Sequence, residues 1–297
     1  MRALVIGEGM VEFARGGDGW IQGTGGDTLN TAVHLARLGA DVAYVSALGT
    51  DPFSADLRRT MEAEGIDTAL VATDPAAQCG IYFIATDASG ERSFTYWRSQ
   101  SAARGMMATI DAASLRAAAA AADLLHLSLI TLAILSEADR GALLTVIQEA
   151  SAAGTRIAFD SNYRPALWES RGDAARWSAA VAGIADFGLP TLEDETALGT
   201  ASDAAGVAAA WQARGCRETV VKLGSKGCLL PGGGTAAPAA VTAVDTSGAG
   251  DSFNAGYLWA RLGGHDPAAA ARRANLLAGW VVGRKGAIPP AERGIYR

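Results

Sequence analysis

The sequence predicts an α/β protein, with a mainly parallel central sheet covered by helices on both faces and a small separate β-sheet acting as a lid. Two observations predict this. Short apolar runs alternate with helical apolar periodicity through most of the chain, and strand–helix–strand repetition implies a parallel sheet buried on both faces. Two segments, at about residues 12–22 and 79–98, break that alternation with period-two patterning and turn signals, which fit hairpins rather than crossover units.

Residues 3–6 are an apolar run that ends at Gly7. A helix is expected over 28–38, with Leu29, Ala32, Val33 and Ala36 at helical spacing and Gly39 as its stop. Residues 42–46 read as a strand and 54–64 as a helix. In the first hairpin segment the turn signal is Gly16-Gly17; in the second it is Ser89-Gly90, flanked by Tyr82, Ile84, Phe94, Tyr96 and Arg98. The two segments are expected to pair as the lid across one edge of the main domain. Further buried strands are expected at 124–128, 156–160 and 219–223, with amphipathic helices at about 137–153 and 203–214. The Ala-rich run 116–122 reads as helix, and the Gly/Ala/Pro-rich stretch 231–238 as a surface turn. With no internal repeat and no linker, residues 1–297 read as a single domain.

The chain is 49% hydrophobic and 19% charged, with 36 glycines and a formal net charge of −6. That balance is globular and argues against a nucleic-acid surface, which needs a basic stripe. Cys79, Cys216 and Cys228 are odd in number and far apart, which fits neither a disulfide framework nor a zinc site. Free thiols in a reducing cytoplasm are the expectation. No stretch reaches the ~18 uninterrupted apolar residues of a membrane span, and the N-terminus runs straight into a strand with no signal-peptide pattern.

The most informative stretch is Val244-Asp245-Thr246-Ser247-Gly248-Ala249-Gly250-Asp251-Ser252-Phe253. Phe253, Tyr257 and Ala260 then recur at helical spacing, so Gly248, Ala249 and Gly250 lie at a helix N-terminus. Unpaired N–H groups and the helix dipole favour an anion there, and small residues let a phosphate approach. Asp251 stands where its carboxylate reaches a hydroxyl beside that cradle. Read alone, the stretch also fits a Gly-rich turn with Asp251 as a helix cap.

The run DTSGAGD resembles the signature of ribokinase-type (PfkB) carbohydrate kinases. The resemblance implies a ribokinase-like three-layer α/β/α fold. It implies Asp251 as catalytic base and Gly248, Ala249 and Gly250 as an anion hole. Gly25-Gly26-Asp27-Thr28-Leu29-Asn30 resembles the family's N-terminal G-G-x-x-x-N element, which implies that Gly25, Gly26 and Asn30 contact the sugar. Lys222-Leu223-Gly224-Ser225-Lys226-Gly227 resembles the turn along the nucleotide, so Lys222, Gly224, Ser225 and Gly227 become ATP-side residues. Asn275 resembles the helix position beside the adenine. Leu192-Glu193-Asp194-Glu195 stands where the family carries N-x-x-E; Leu192 replaces the Asn, and Glu195 is implied to act on Mg²⁺ through water. ATP and Mg²⁺ are the implied cofactors.

Two arginines point to the acceptor. Arg98 lies on the lid and Arg164 follows a core strand end, where ligands of open α/β sheets bind. A guanidinium is a natural bidentate partner of a carboxylate. The patterns Tyr96-Trp97-Arg98 and Asn162-Tyr163-Arg164-Pro165-Ala166-Leu167-Trp168 resemble those of 2-keto-3-deoxygluconate (KDG) kinases. That resemblance implies that Tyr82, Tyr96 and Arg98 contact a sugar acid, and puts Arg164 between its carboxylate and the phosphates. The implied reaction is phosphorylation of the terminal C6 hydroxyl of KDG. A fructokinase or another kinase of the class is the alternative. The expected partners are a small sugar acid and ATP, with no nucleic acid and no membrane. The open lid edges suggest a homodimer or higher homo-oligomer.

Overall fold

The computed structural model describes residues 1–86, 92–292 and 294–297. The strands in chain order are β1 (Arg2–Ile6), β2 (Met10–Gly16), β3 (Gly19–Gly25), β4 (Asp41–Leu48), β5 (Val71–Thr73), β6 (Gly80–Thr86), β7 (Arg92–Trp97), β8 (Leu124–Ser128), β9 (Arg156–Asp160), β10 (Phe187–Gly188), β11 (Glu218–Thr219), β12 (Val221–Lys222), β13 (Cys228–Leu229) and β14 (Thr235–Ala236). Seven form one sheet in the order β11-β10-β9-β8-β1-β4-β5, and every pairing in it is parallel.

The alternation of side chains along β1 divides the interior. Leu4 and Ile6 join one core with Leu125, Leu127 and Phe159, while Ala3 and Val5 join another with Val42, Tyr44 and Leu124. Helices Glu137–Ala152, Arg171–Ala182 and Ala204–Arg214 cover the first face. Helices Asp27–Arg37, Ala249–Leu262 and Pro267–Val282 cover the second. This is the three-layer α/β/α arrangement the sequence predicts. Local chemistry sets the helix starts: Asp51, Ser136 and Asp203 each cap the N–H three residues on.

The lid is a four-stranded sheet, β3-β2-β6-β7. Its two hairpins are antiparallel, and β2 and β6 join them in parallel. Gly17 makes the first turn at φ 55°; the expected Ser89-Gly90 turn lies outside the described residues. Trp20, Ile21 and Trp97 of the lid are exposed.

Two expectations need correction. Residues 219–223 are not one strand: β11 ends in the main sheet, and after Val220 the chain starts β12 of a separate sheet, β12-β13-β14. Residues 231–238 are more than a surface turn, because Thr235–Ala236 is strand β14 and pairs with β13. Among the described residues no helix is long and apolar enough to cross a membrane, and the three cysteines are free and buried.

Candidate active site

The glycine-rich run lies at the N-terminus of helix Ala249–Leu262, with Gly248 as its N-cap at φ 70°. A Cβ at Gly248 would stand 2.6 Å from the Ala287 Cβ, so both backbone conformation and close approach call for glycine. Asp245 ties the loop down. Its carboxylate accepts from Ser247 N at 2.8 Å and from Gly286 N at 3.1 Å. The Ala249 N–H donates to Thr246 O at 3.3 Å. The first-turn N–H groups of Gly250 and Asp251 face away from the helix body, as helix geometry dictates.

Asp251 is the third residue of this helix. Asn30 Nδ2 donates to its Oδ2 at 2.8 Å, and Thr31 Oγ1 donates to its main-chain O at 3.2 Å. Helix Asp27–Arg37 is thereby joined to the cradle. Burial raises the Asp251 carboxyl well above the usual carboxylate range, and the charges of Asp27 and Asp160 add to this, while Asn30 and Lys222 act in the opposite sense.

Lys222 is buried, not a solvated turn residue. Its Nζ donates to Asp160 Oδ2 at 2.6 Å and Asn254 Oδ1 at 3.1 Å, and Asn254 Nδ2 donates to the same Asp160 oxygen at 2.6 Å. Burial works to raise the Asp160 carboxyl, but the Lys222 charge and these hydrogen bonds hold it below its ordinary value. A Cβ on Gly250 would lie 3.5 Å from Lys222 Nζ, so the ammonium abuts the cradle.

A cavity of about 560 Å³ opens beside it, lined by Lys222, Gly224, Ser225, Gly227, Gly250 and Asn275. Its volume falls within the range of small-molecule sites. Gly227 has φ 86°, and a Cβ there would meet Ala236 O at 2.0 Å. Asn275 Nδ2 donates to Ala236 O at 3.0 Å, so β14 and helix Pro267–Val282 form one wall. Pro238, Ala239, Ala240, Val241 and Ala243 line the cavity as well. The sequence reading missed that stretch, because small apolar residues without periodicity carry no signal.

On the lid side Tyr82 is buried, donates to Glu12 and stacks on Tyr96 at 5.7 Å. Gly25 lies against the Tyr82 hydroxyl, and a Cβ at Gly26 would meet Glu8 O at 2.3 Å. Arg98 is buried against Glu8, and its guanidinium carbon lies 5.9 Å from the Tyr96 ring centre. Arg98 is therefore already paired within the protein, with Glu8. Glu8 lies in Gly7-Glu8-Gly9 just beyond the carboxyl end of β1, a position where ligands bind in open α/β sheets. That position was the available signal.

Arg164 is half exposed and donates to Tyr163 O at 2.9 Å and Asp194 Oδ1 at 3.2 Å. The two acids near the metal-side motif point in different directions. Glu195 is fully buried in the core, near Thr200 and Trp211, and burial raises its carboxyl. Asp194 instead faces the site. Burial pushes its carboxyl up to about 6, against the pull of Arg164 and Lys222. The residues are consecutive on helix Leu192–Leu198, so about 100° of helical rotation separates them. One turns to the site and the other to the core. Among the described residues no group of three or more acidic, His or Cys side chains forms a metal cage. One carboxylate beside a phosphate site suits Mg²⁺, which keeps several waters and leans on substrate phosphates.

The family model for pfkB family carbohydrate kinases matches residues 14–293. A 2-dehydro-3-deoxygluconokinase of Dickeya dadantii is 40% identical over 299 residues, covering 97% of this chain and 96% of its own. The enzyme of that name from Escherichia coli K12 is 40% identical over 302 residues, 98% of each chain. The crystal structure of a fructokinase from Vibrio cholerae O395, in fructose-, ADP- and calcium-bound form, superposes with a TM-score of 0.85 at 25% identity, covering 99% of this chain and 97% of that one.

Proposed function

The chain belongs to the pfkB family of carbohydrate kinases, and on that premise we propose that it transfers the γ-phosphate of ATP to the C6 hydroxyl of 2-dehydro-3-deoxygluconate, the compound also called KDG. The observation that carries the choice of acceptor is the 40% identity, over nearly whole chains, to enzymes named for that substrate, against 30–31% to relatives named fructokinase. The buried Arg98 on the lid supports it, since a guanidinium is a natural bidentate partner of a carboxylate.

In this reading Asp251 accepts the proton of the attacking hydroxyl. Its raised pKa suits a general base, which works best near the operating pH. The Gly248, Ala249 and Gly250 cradle receives the transferring phosphoryl group; with Ala249 N bonded to Thr246 O, the Gly250 and Asp251 amides are its principal donors. Lys222 has three N–H donors, two of them bonded to Asp160 and Asn254, and the third serves the phosphoryl oxygens. Such pre-set charge and position supply nearly all catalysis in phosphoryl transfer. Gly224, Ser225, Gly227 and Asn275 line the nucleotide cavity. Bound Mg²⁺ would supply charge neutralisation on the phosphates, and Asp194, beside Arg164, is the acid that would hold it. Arg164, paired with Asp194, belongs to the phosphate side. Gly25, Gly26, Asn30, Tyr82, Tyr96 and Arg98 surround the sugar acid.

Residues 1–297 act as a single kinase domain, working in the cytoplasm. A second copy covers the exposed lid aromatics, which sedimentation would detect. Phosphorus NMR of the product tests the reaction itself. A phosphate coupled to the C6 methylene protons of KDG is expected, and formation of a fructose phosphate with KDG left unchanged would overturn the proposal.

A further inference from the structure

The floor under the cradle comes from a distant part of the chain. Ala287 is buried, and a Cβ on Gly248 would stand 2.6 Å from its Cβ. Its neighbour Gly286, at φ 78°, donates its N–H to Asp245 Oδ2 at 3.1 Å. The Ala287 carbonyl in turn accepts from His34 Nε2 at 3.1 Å. His34 lies one turn after Asn30 on helix Asp27–Arg37, so the two share a face. That face holds Asp251 through Asn30 and the cradle floor through His34. His34 has no exposed surface, and so touches neither sugar nor nucleotide.

Its partners fix its tautomer. A carbonyl only accepts, so Nε2 carries the proton, and burial keeps the ring neutral by lowering its pKa to about 4. Nδ1 is then an acceptor, and the Tyr296 hydroxyl, 2.9 Å away, donates to it. Arg37 Nη1 donates to that hydroxyl oxygen at 3.3 Å and to Pro289 O at 2.7 Å, while Glu64 holds the rest of the guanidinium at 2.6 and 2.8 Å. The hydrogen bonds therefore run in one direction, from Arg37 to Ala287. Tyr296 is seated by stacking on His34, with ring centres 6.0 Å apart, and edge-on against Trp280 at 5.7 Å. An apolar residue of this size would fill the same space. What the imidazole adds is a fixed bond to the backbone under the cradle.

We propose that His34 is a positioning residue for phosphoryl transfer: held by Tyr296, it fixes Ala287 and with it the Gly248 backbone on which the anion cradle rests. This rests on the kinase reading above and not on the choice of acceptor.

The test compares three variants by rapid-quench single-turnover rate and by KM for both substrates, all well below the lowest Tm so that lost stability does not lower the rate. A Gln Nε2 falls near the place of the imidazole Nε2, so His34→Gln keeps the Ala287 bond and loses the one from Tyr296. Tyr296→Phe loses that same bond from the other side. An Asn amide ends near the place of Nδ1, so His34→Asn loses the Ala287 bond. Misplacing a catalytic group by about 1 Å costs on the order of 10²-fold; His34→Asn should slow phosphoryl transfer by about that factor, with both KM values nearly unchanged. His34→Gln and Tyr296→Phe, each short of one neutral hydrogen bond, should lose only about 2- to 10-fold. A His34→Asn rate no lower than that of His34→Gln would overturn the proposal. If His34→Asn fails to fold, Tyr296→Phe decides: a slower transfer with both KM values unchanged supports the proposal, and an unchanged rate overturns it. Turnover of fructose in place of KDG would overturn the acceptor reading alone, and the same rates would then be read with fructose.

Discussion

Replacing Arg98 separates its two roles, as partner of Glu8 and as reader of the substrate carboxylate. Arg98 is 7% exposed and Glu8 2%, so Arg98→Ala leaves a buried carboxylate without its counter-charge. Breaking such a pair costs about 3–5 kcal/mol, a fall in Tm on the order of 10 °C for a chain of this size. Losing a charged hydrogen bond to substrate is a separate effect, worth about 10- to 100-fold in kcat/KM. The double variant Glu8→Gln/Arg98→Met removes both charges together. It should recover most of the stability, because neutral groups of similar volume replace the pair. It should not recover the use of KDG. Thermal melts followed by steady-state assays well below the melting range read the two effects independently. Recovery of kcat/KM for KDG along with Tm would refute the reasoning, and Arg98 would then be a structural residue alone.

Asp251→Asn should preserve ATP affinity by calorimetry while lowering kcat by roughly 10²–10⁴, the usual contribution of a general base; the unmodified enzyme's kcat should rise with pH, because the raised Asp251 carboxyl must ionise to act, and a flat profile with slow chemistry would count against this role. Gly248→Ala should depress kcat more than KM, since its Cβ would meet Ala287 at 2.6 Å and strain the φ of 70° that shapes the cradle; unchanged kcat in a folded variant would remove the cradle from the mechanism. His34 and His126 are both lowered to about 4, chiefly by burial. These imidazoles make the unfolded chain bind more protons between pH 6.5 and 4, while the raised carboxyls of Asp251 and Asp194 act in the opposite sense; relative to a His34→Gln/His126→Gln variant, the Tm of the unmodified enzyme should therefore fall as the pH drops through that window. A Tm difference between the two proteins that does not change with pH there would show that these imidazoles are not held neutral.

Much of the fold was legible because its signals are local. Strands β8 and β9 match their apolar runs residue for residue, and helix Glu137–Ala152 ends one residue from its expected limit. The cradle was legible for the same reason: glycine at a helix start carries meaning within a few residues. The charged pairs were not. Glu8 and Arg98 are 90 residues apart, and Asp160 and Lys222 are 62 apart, so no local pattern announces them. That Glu195 lies in the core while Asp194 pairs with Arg164 has another cause. The motif located the helix, but which of two adjacent acids faces the site depends on helix rotation, set by core packing around Trp211 and Thr200. The break at Val220 is similar, since a continuous apolar run gives no sign that its two ends join different sheets.

The central claim is that this carbohydrate kinase acts on a sugar acid, and kcat/KM for KDG against fructose in the unmodified enzyme, at saturating ATP and Mg²⁺, tests it most directly. Because Glu8 partners Arg98 even without a substrate carboxylate, the expected discrimination is that of lost carboxylate contacts, about 100-fold or more in favour of KDG. Comparable values for the two sugars would contradict the assignment and make fructokinase the better reading.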